Sequence, residues 1–104
     1  MSNRIKQLQQ FIEEDPTDPF NYYALGLEYA KAGEQEALDI FVKLVQQHKE
    51  YLPTYYQLAN LYSRLGQKEN AAFVYNAGIE IARQQRDFKT LQELTAGLEQ
   101  INDE

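Results

Sequence analysis

Hydrophobic and polar positions along the 104-residue chain fall into six helical stretches separated by short breaks. Tyr22, Leu25, Gly26 and Tyr29 stand at i, i+3, i+4 and i+7, the spacing that places four side chains on one helical face. A second stretch carries Ala37, Leu38, Phe41, Leu44 and Val45 in the same way. Tyr55, Leu58, Ala59 and Tyr62 then repeat the first pattern, and Ala71, Ala72, Tyr75, Gly78 and Ile79 repeat the second. The two ends are amphipathic, with Ile5, Leu8, Phe11 and Ile12 along one side of the first stretch and Phe88, Leu91, Leu94, Leu98 and Ile101 along the last. Asp15 precedes Pro16, which disfavours helix at Asp15. Asp18 is a good N-cap with Pro19 at the first helical position, and Pro53 opens a later helix similarly. Gly33 and Gly66 stand where a left-handed residue ends a helix. These signals predict helices near 3–14, 18–32, 35–48, 53–65, 68–85 and 87–102.

The middle four helices are two copies of one unit. Sliding NYYALGLEYAKAG by 33 positions lays it on TYYQLANLYSRLG, with Tyr22, Tyr23, Leu25, Tyr29 and Gly33 meeting Tyr55, Tyr56, Leu58, Tyr62 and Gly66. Past the glycines the offset becomes 34, so that Ala37 meets Ala71 and Phe41 meets Tyr75. The first copy therefore has a turn one residue shorter. Small Gly26 and Ala59 let the two helices of a hairpin approach closely, and Tyr22, Tyr29, Tyr55 and Tyr62 are expected to fill the wedge between hairpins. One hairpin cannot bury its own apolar faces, so neighbours must stack and the end helices act as lids.

The pattern of aromatic, Leu-Gly, Tyr, turn Gly, Ala and aromatic at a period of 33–34 residues resembles the tetratricopeptide repeat. Tyr22, Leu25, Gly26, Tyr29, Gly33, Ala37 and Phe41 match in the first unit; Tyr55, Leu58, Ala59, Tyr62, Gly66, Ala71 and Tyr75 match in the second. The resemblance implies an all-α fold, an α-solenoid of antiparallel helical hairpins. It implies one domain over 1–104, with an N-terminal flanking helix at 3–14, repeat 1 at 18–50, repeat 2 at 51–85 and a C-terminal capping helix at 87–102.

The first helix of each unit carries a second stripe beside the structural one: Phe20, Tyr23, Leu27 and Lys31 in one copy, Tyr56, Asn60 and Arg64 in the other. In tetratricopeptide proteins this stripe lines a concave groove that takes an extended peptide or a partner helix, and the resemblance implies the same surface here. The bland alternative is that these rings pack between neighbouring helices. Lys31 is equally placed for an ordinary i,i+3 pair with Glu28. The carboxylate-clamp branch of the family has Lys and Asn where this chain has Tyr23 and Leu27, so that clamp is not expected.

Composition narrows the function further. The net charge of −6 is uneven: eight acids and one base lie between Glu13 and Asp39. An acidic chain without a basic stripe is a poor nucleic-acid ligand, because that affinity comes from neutralised phosphates. No apolar run approaches the roughly 18 residues of a membrane span. MSNRIKQLQQFIEED has no apolar stretch of signal-peptide length, so no secretion signal is expected. The absence of cysteine excludes thiol chemistry and suits a cytoplasmic protein. His48 is the only histidine and has no partner at motif spacing; no phosphate loop, zinc spacing or nucleophile elbow occurs. The expectation is a non-catalytic protein–protein interaction module without metal or cofactor, whose partner is a protein or peptide. The alternative is a structural protein that self-associates by stacking its terminal helices into a homo-oligomer.

Overall fold

A computed structural model describes residues 3–103, apart from the side chain of Glu34; residues 1, 2 and 104 of the expected domain lie outside it. Six helices follow one another: α1 (Asn3–Glu14), α2 (Pro19–Ala32), α3 (Glu34–Gln47), α4 (Pro53–Arg64), α5 (Lys68–Gln85) and α6 (Phe88–Asn102). Every expected helix is present with its ends within one residue, and no strand occurs among the described residues. Asp18 is the N-cap its place before Pro19 predicts, and Asp87 is a cap too rather than the first residue of the last helix. Asp18 Oδ1 accepts from the Phe20 amide at 3.0 Å, and Asp87 Oδ1 accepts from the Thr90 amide at 3.1 Å.

The chain divides into two compact units, one ending at His48 and one beginning at Lys49. In the first, α2 packs on both α1 and α3. Ile5 and Leu8 of α1 meet Ala24 and Leu25 of α2, with Ile12, Tyr29 and Ile40 half-buried around them. On the α3 side the Phe41 ring lies over Gly26; a Cβ there would come within 2.8 Å of its Cζ, so the small residue sets the approach of the two helices. In the second unit α5 packs between α4 and α6. Tyr55, Leu58, Ala59, Leu61, Val74, Tyr75, Ile79 and Leu94 form its buried interior.

The same device ties the entry of each hairpin. The Tyr22 hydroxyl donates to the carbonyl of Pro16 at 2.9 Å, and the Tyr55 hydroxyl donates to that of Lys49 at 2.6 Å. Both rings reach back six residues and hold the incoming linker against the first turns of its helix. Gln85 adds a second clamp in the later unit, donating to the Glu50 carbonyl at 2.7 Å.

Four expectations are corrected. Gly33 is not left-handed: its φ of −170° is extended backbone, and this one residue both ends α2 and begins α3. The shorter turn of the first copy leaves no room for the left-handed cap that Gly66 forms at φ 79°. Phe11 is partly exposed, because α1 has a single helix, α2, packed along it and only the narrow Ile5–Leu8–Ile12 stripe is covered. Phe88 is exposed, since it stands roughly 120° around α6 from Leu94 at 100° per residue. Tyr55 lies inside its own hairpin, where its Cβ would sit 2.7 Å from a Cβ placed on Gly78 of α5.

Candidate functional site

In the first unit the second stripe of α2 begins two residues after the cap. Phe20 leaves 53% of its surface in solvent although the Asp18–Pro19 start fixes its backbone. One turn on, Tyr23 is half-buried, its ring tilted against that of Phe41 with centroids 6.2 Å apart. Leu27 is half-buried and Lys31 is exposed, its Nζ 2.7 Å from Glu28 Oε2. The i,i+3 pair is thus formed, at the end of a helix where a cation also suits the dipole. Phe20, Tyr23, Leu27 and Lys31 line one open, mainly apolar depression of about 430 Å³, together with Ala24 and with Arg4 of α1. Arg4 Nη1 donates to Gln7 Oε1 at 3.0 Å and so stays on the α1 side of that depression.

In the second unit the corresponding stripe is more polar. Tyr56 is partly exposed and stands edge-on to Tyr75, with centroids 6.2 Å apart and planes at 72°. Asn60 lies beside Tyr75 in the lining of one depression. Burial pushes the Tyr75 hydroxyl above its ordinary value; the neighbouring Tyr56 adds to this and the nearby Asn60 amide partly offsets it. Arg64 is exposed in the last turn of α4 and makes no ion pair among the described residues. Asn60 and Arg64 line a depression of about 270 Å³ with Ser63, Tyr75, Gly97 and Gln100.

Of the seven residues singled out from sequence, four therefore share one depression, two share another, and Tyr56 lies beside Tyr75 outside the second. Arg4, Tyr75 and Gln100 were not foreseen. Arg4 and Gln100 sit on flanking helices whose pairing has no local signal, and the sequence marks Tyr75 only as the aromatic that packs a hairpin. Among the described residues no three His, Asp or Glu side chains are placed to hold a metal, and no helix is long and apolar enough to cross a membrane.

The tetratricopeptide-repeat sequence model matches residues 52–85, which is α4 and α5 with the residue ahead of them. The solution NMR structure of a tetratricopeptide repeat domain protein from Salinibacter ruber superposes with a TM-score of 0.80 at 40% identity, over 84% of this chain and 89% of that one. This chain belongs to the tetratricopeptide-repeat family. A crystal structure of a tetratricopeptide repeat domain protein from the same organism gives 0.78 at 38% identity, over 82% of this chain and 97% of that one. The crystal structure of MamA matches at 21% identity and a TM-score of 0.65, over 95% of this chain and 65% of that one, a likeness of fold. A comparison with curated proteins finds no match. As a tetratricopeptide-repeat protein, the chain is an all-α solenoid of antiparallel hairpins in a family whose members generally mediate protein–protein contacts as non-catalytic scaffolds.

Proposed function

We propose that this tetratricopeptide-repeat protein binds an extended peptide or a partner helix through the second stripe of α2, with Phe20, Tyr23 and Leu27 as the apolar anchors. In the second unit the equivalent stripe of α4, with Tyr56, Asn60 and Arg64, is a candidate surface by itself. The observation that carries the reading is the single depression lined by all four first-unit residues, with a phenylalanine more than half in solvent at its mouth. Exposed aromatic side chains beside an apolar hollow are the usual anchors of protein interfaces. The charges at its edge are Arg4 and the closed Glu28–Lys31 pair, so the segment that enters is apolar. The wider first unit, with eight acids and one base between Glu13 and Asp39, favours a partner that is neutral or basic overall.

The test is affinity capture from the native cell with wild type, Phe20→Ala and the Tyr23→Ala/Tyr56→Ala double variant, each verified as folded by circular dichroism. Each anchor is expected to weaken binding by about 1–3 kcal/mol, so partners held by wild type should be lost or reduced by the variants. Recovery of the same partners in the same amounts would remove this surface from consideration.

A further inference from the structure

The first unit has a second apolar hollow, on another part of its surface. It runs between α1 and α3, with Ile12 and Ile40 as half-buried walls and Tyr22, Leu25 and Leu44 beneath, and its volume is about 290 Å³. A benzene-sized ligand needs only about 150 Å³ of apolar space, so a phenyl ring fits. One cation, Lys43, stands at its edge; it is exposed and makes no ion pair among the described residues.

The second unit carries an unexplained ring of the right kind. Phe73 on α5 is 76% exposed, the most open large hydrophobic residue among those described. Its neighbours Ala71, Val74 and Tyr75 are buried, so α5 is already packed on its inner face. Glu69, Phe73, Asn76 and Glu80 instead follow one another at i, i+4, i+7 and i+11 and are all exposed, which makes a single outward ridge. Glu80 is engaged with Arg83 at 3.7 Å, whereas Glu69 makes no ion pair among the described residues. The other strongly exposed ring, Phe88, sits beside Arg86 and Lys89, which would meet Lys43 with like charge, while the adjacent Asp87 carboxylate is taken up by Thr90 as the cap of α6. Phe73 has an acid one turn before it, which would meet Lys43 with opposite charge.

We propose that the α5 ridge centred on Phe73 docks into the α1–α3 hollow of a second copy of this chain. The Phe73 ring enters between Ile12 and Ile40, and Glu69 faces Lys43. The contact uses neither the α2 stripe assigned to peptide binding nor the outer face of α6, so it is independent of the function proposed above. A lone ridge in a lone hollow falls below the about 1,200 Å² of small stable interfaces, so the association is weak and must be sought between about 10 µM and about 1 mM.

Sedimentation velocity of the full chain over that range tests this. The average mass is expected to rise with concentration for wild type. Phe73→Ser and Lys43→Glu, both at exposed positions, are each expected to weaken association by about tenfold or more. An equimolar mixture of the two variants should associate again, because the first retains the hollow and the second retains the ring. In a mixture of differently labelled wild-type copies, nuclear Overhauser contacts should appear between the Phe73 ring of one and the Ile12 and Ile40 methyls of the other. A single-chain mass throughout would overturn the proposal and leave the hollow to a different protein. So would association unchanged by Phe73→Ser, absent from the mixture, or abolished only by Leu98→Lys, which would move the contact to the terminal helix.

Discussion

Arg86 occupies a position where a glycine would be less strained. Its φ of 58° is left-handed, which costs an L residue with a Cβ about 1–2 kcal/mol. The geometry that imposes it is the pair of hydrogen bonds closing α5: the Asp87 amide donates to the Ala82 carbonyl at 3.0 Å and the Arg86 amide to that of Arg83 at 3.1 Å. Gly66 closes α4 with the same pair of bonds, from Gln67 to Tyr62 at 2.9 Å and from Gly66 to Ser63 at 3.0 Å. Arg86 is exposed and makes no ion pair among the described residues, so nothing opposes replacement. Arg86→Gly is expected to stabilise the protein by about 0.5–1 kcal/mol after the entropy of glycine in the unfolded chain is subtracted. A urea midpoint at or below that of wild type, with an unchanged slope, would refute the strain.

At the scale of helices, what was legible is what is local. The Asp18–Pro19 start of α2 follows from two adjacent residues, and the structure has the cap bond. The opening of α4 was less legible: Leu52 offers no side-chain cap, and the work falls to Tyr55 and Gln85 acting across the linker. Those bonds depend on the path of a loop, which periodicity does not encode. They also give α4 and α5 an alkaline weakness. Tyr55 and Tyr75 are buried, and burial raises both hydroxyls above the ordinary 10.0, with Glu50 adding to the effect at Tyr55. The folded state therefore favours the neutral phenols. Their contribution is complete below the unfolded value of about 10 and is lost as pH rises through the raised folded values. The urea midpoint is expected to hold near about pH 8 and to fall near about pH 11, with part of the tyrosinate absorbance appearing only on unfolding. Ionisation of all eight tyrosines in one step near the ordinary value, with the midpoint unmoved, would contradict this.

For the molecule as a whole, burial is unequal between the two units. Twelve of the nineteen buried hydrophobic residues among those described lie beyond His48. In repeat proteins each unit is held mainly by its own interior and its immediate neighbours. Opening should then be cheapest at α1, which contributes only Ile5 and Leu8 to a buried cluster. Amide hydrogen exchange should fade first in α1 and last in α4 and α5; protection of α1 equal to that of α5 would show the burial map to be a poor guide. The same inequality explains how far the candidate site could be read from sequence. Phe20, Tyr23, Leu27 and Lys31 share a depression because helical spacing alone aligns them. Tyr56 parts from Asn60 and Arg64 because the Tyr75 ring takes its edge, and that depends on how α4 and α5 meet.

The hydroxyl that reaches back six residues from Tyr22, and again from Tyr55, acts as a ruler. Its length is set by a ring on a helix, so it accepts a linker of one size. A residue inserted between Pro16 and Tyr22, or between Lys49 and Tyr55, would bring a different carbonyl six positions behind the ring, whereas duplication of the whole 33- or 34-residue unit would copy ring, linker and carbonyl together. A designer joining further units would do well to cut ahead of Pro16 or Lys49, so that each joined piece brings its own measure.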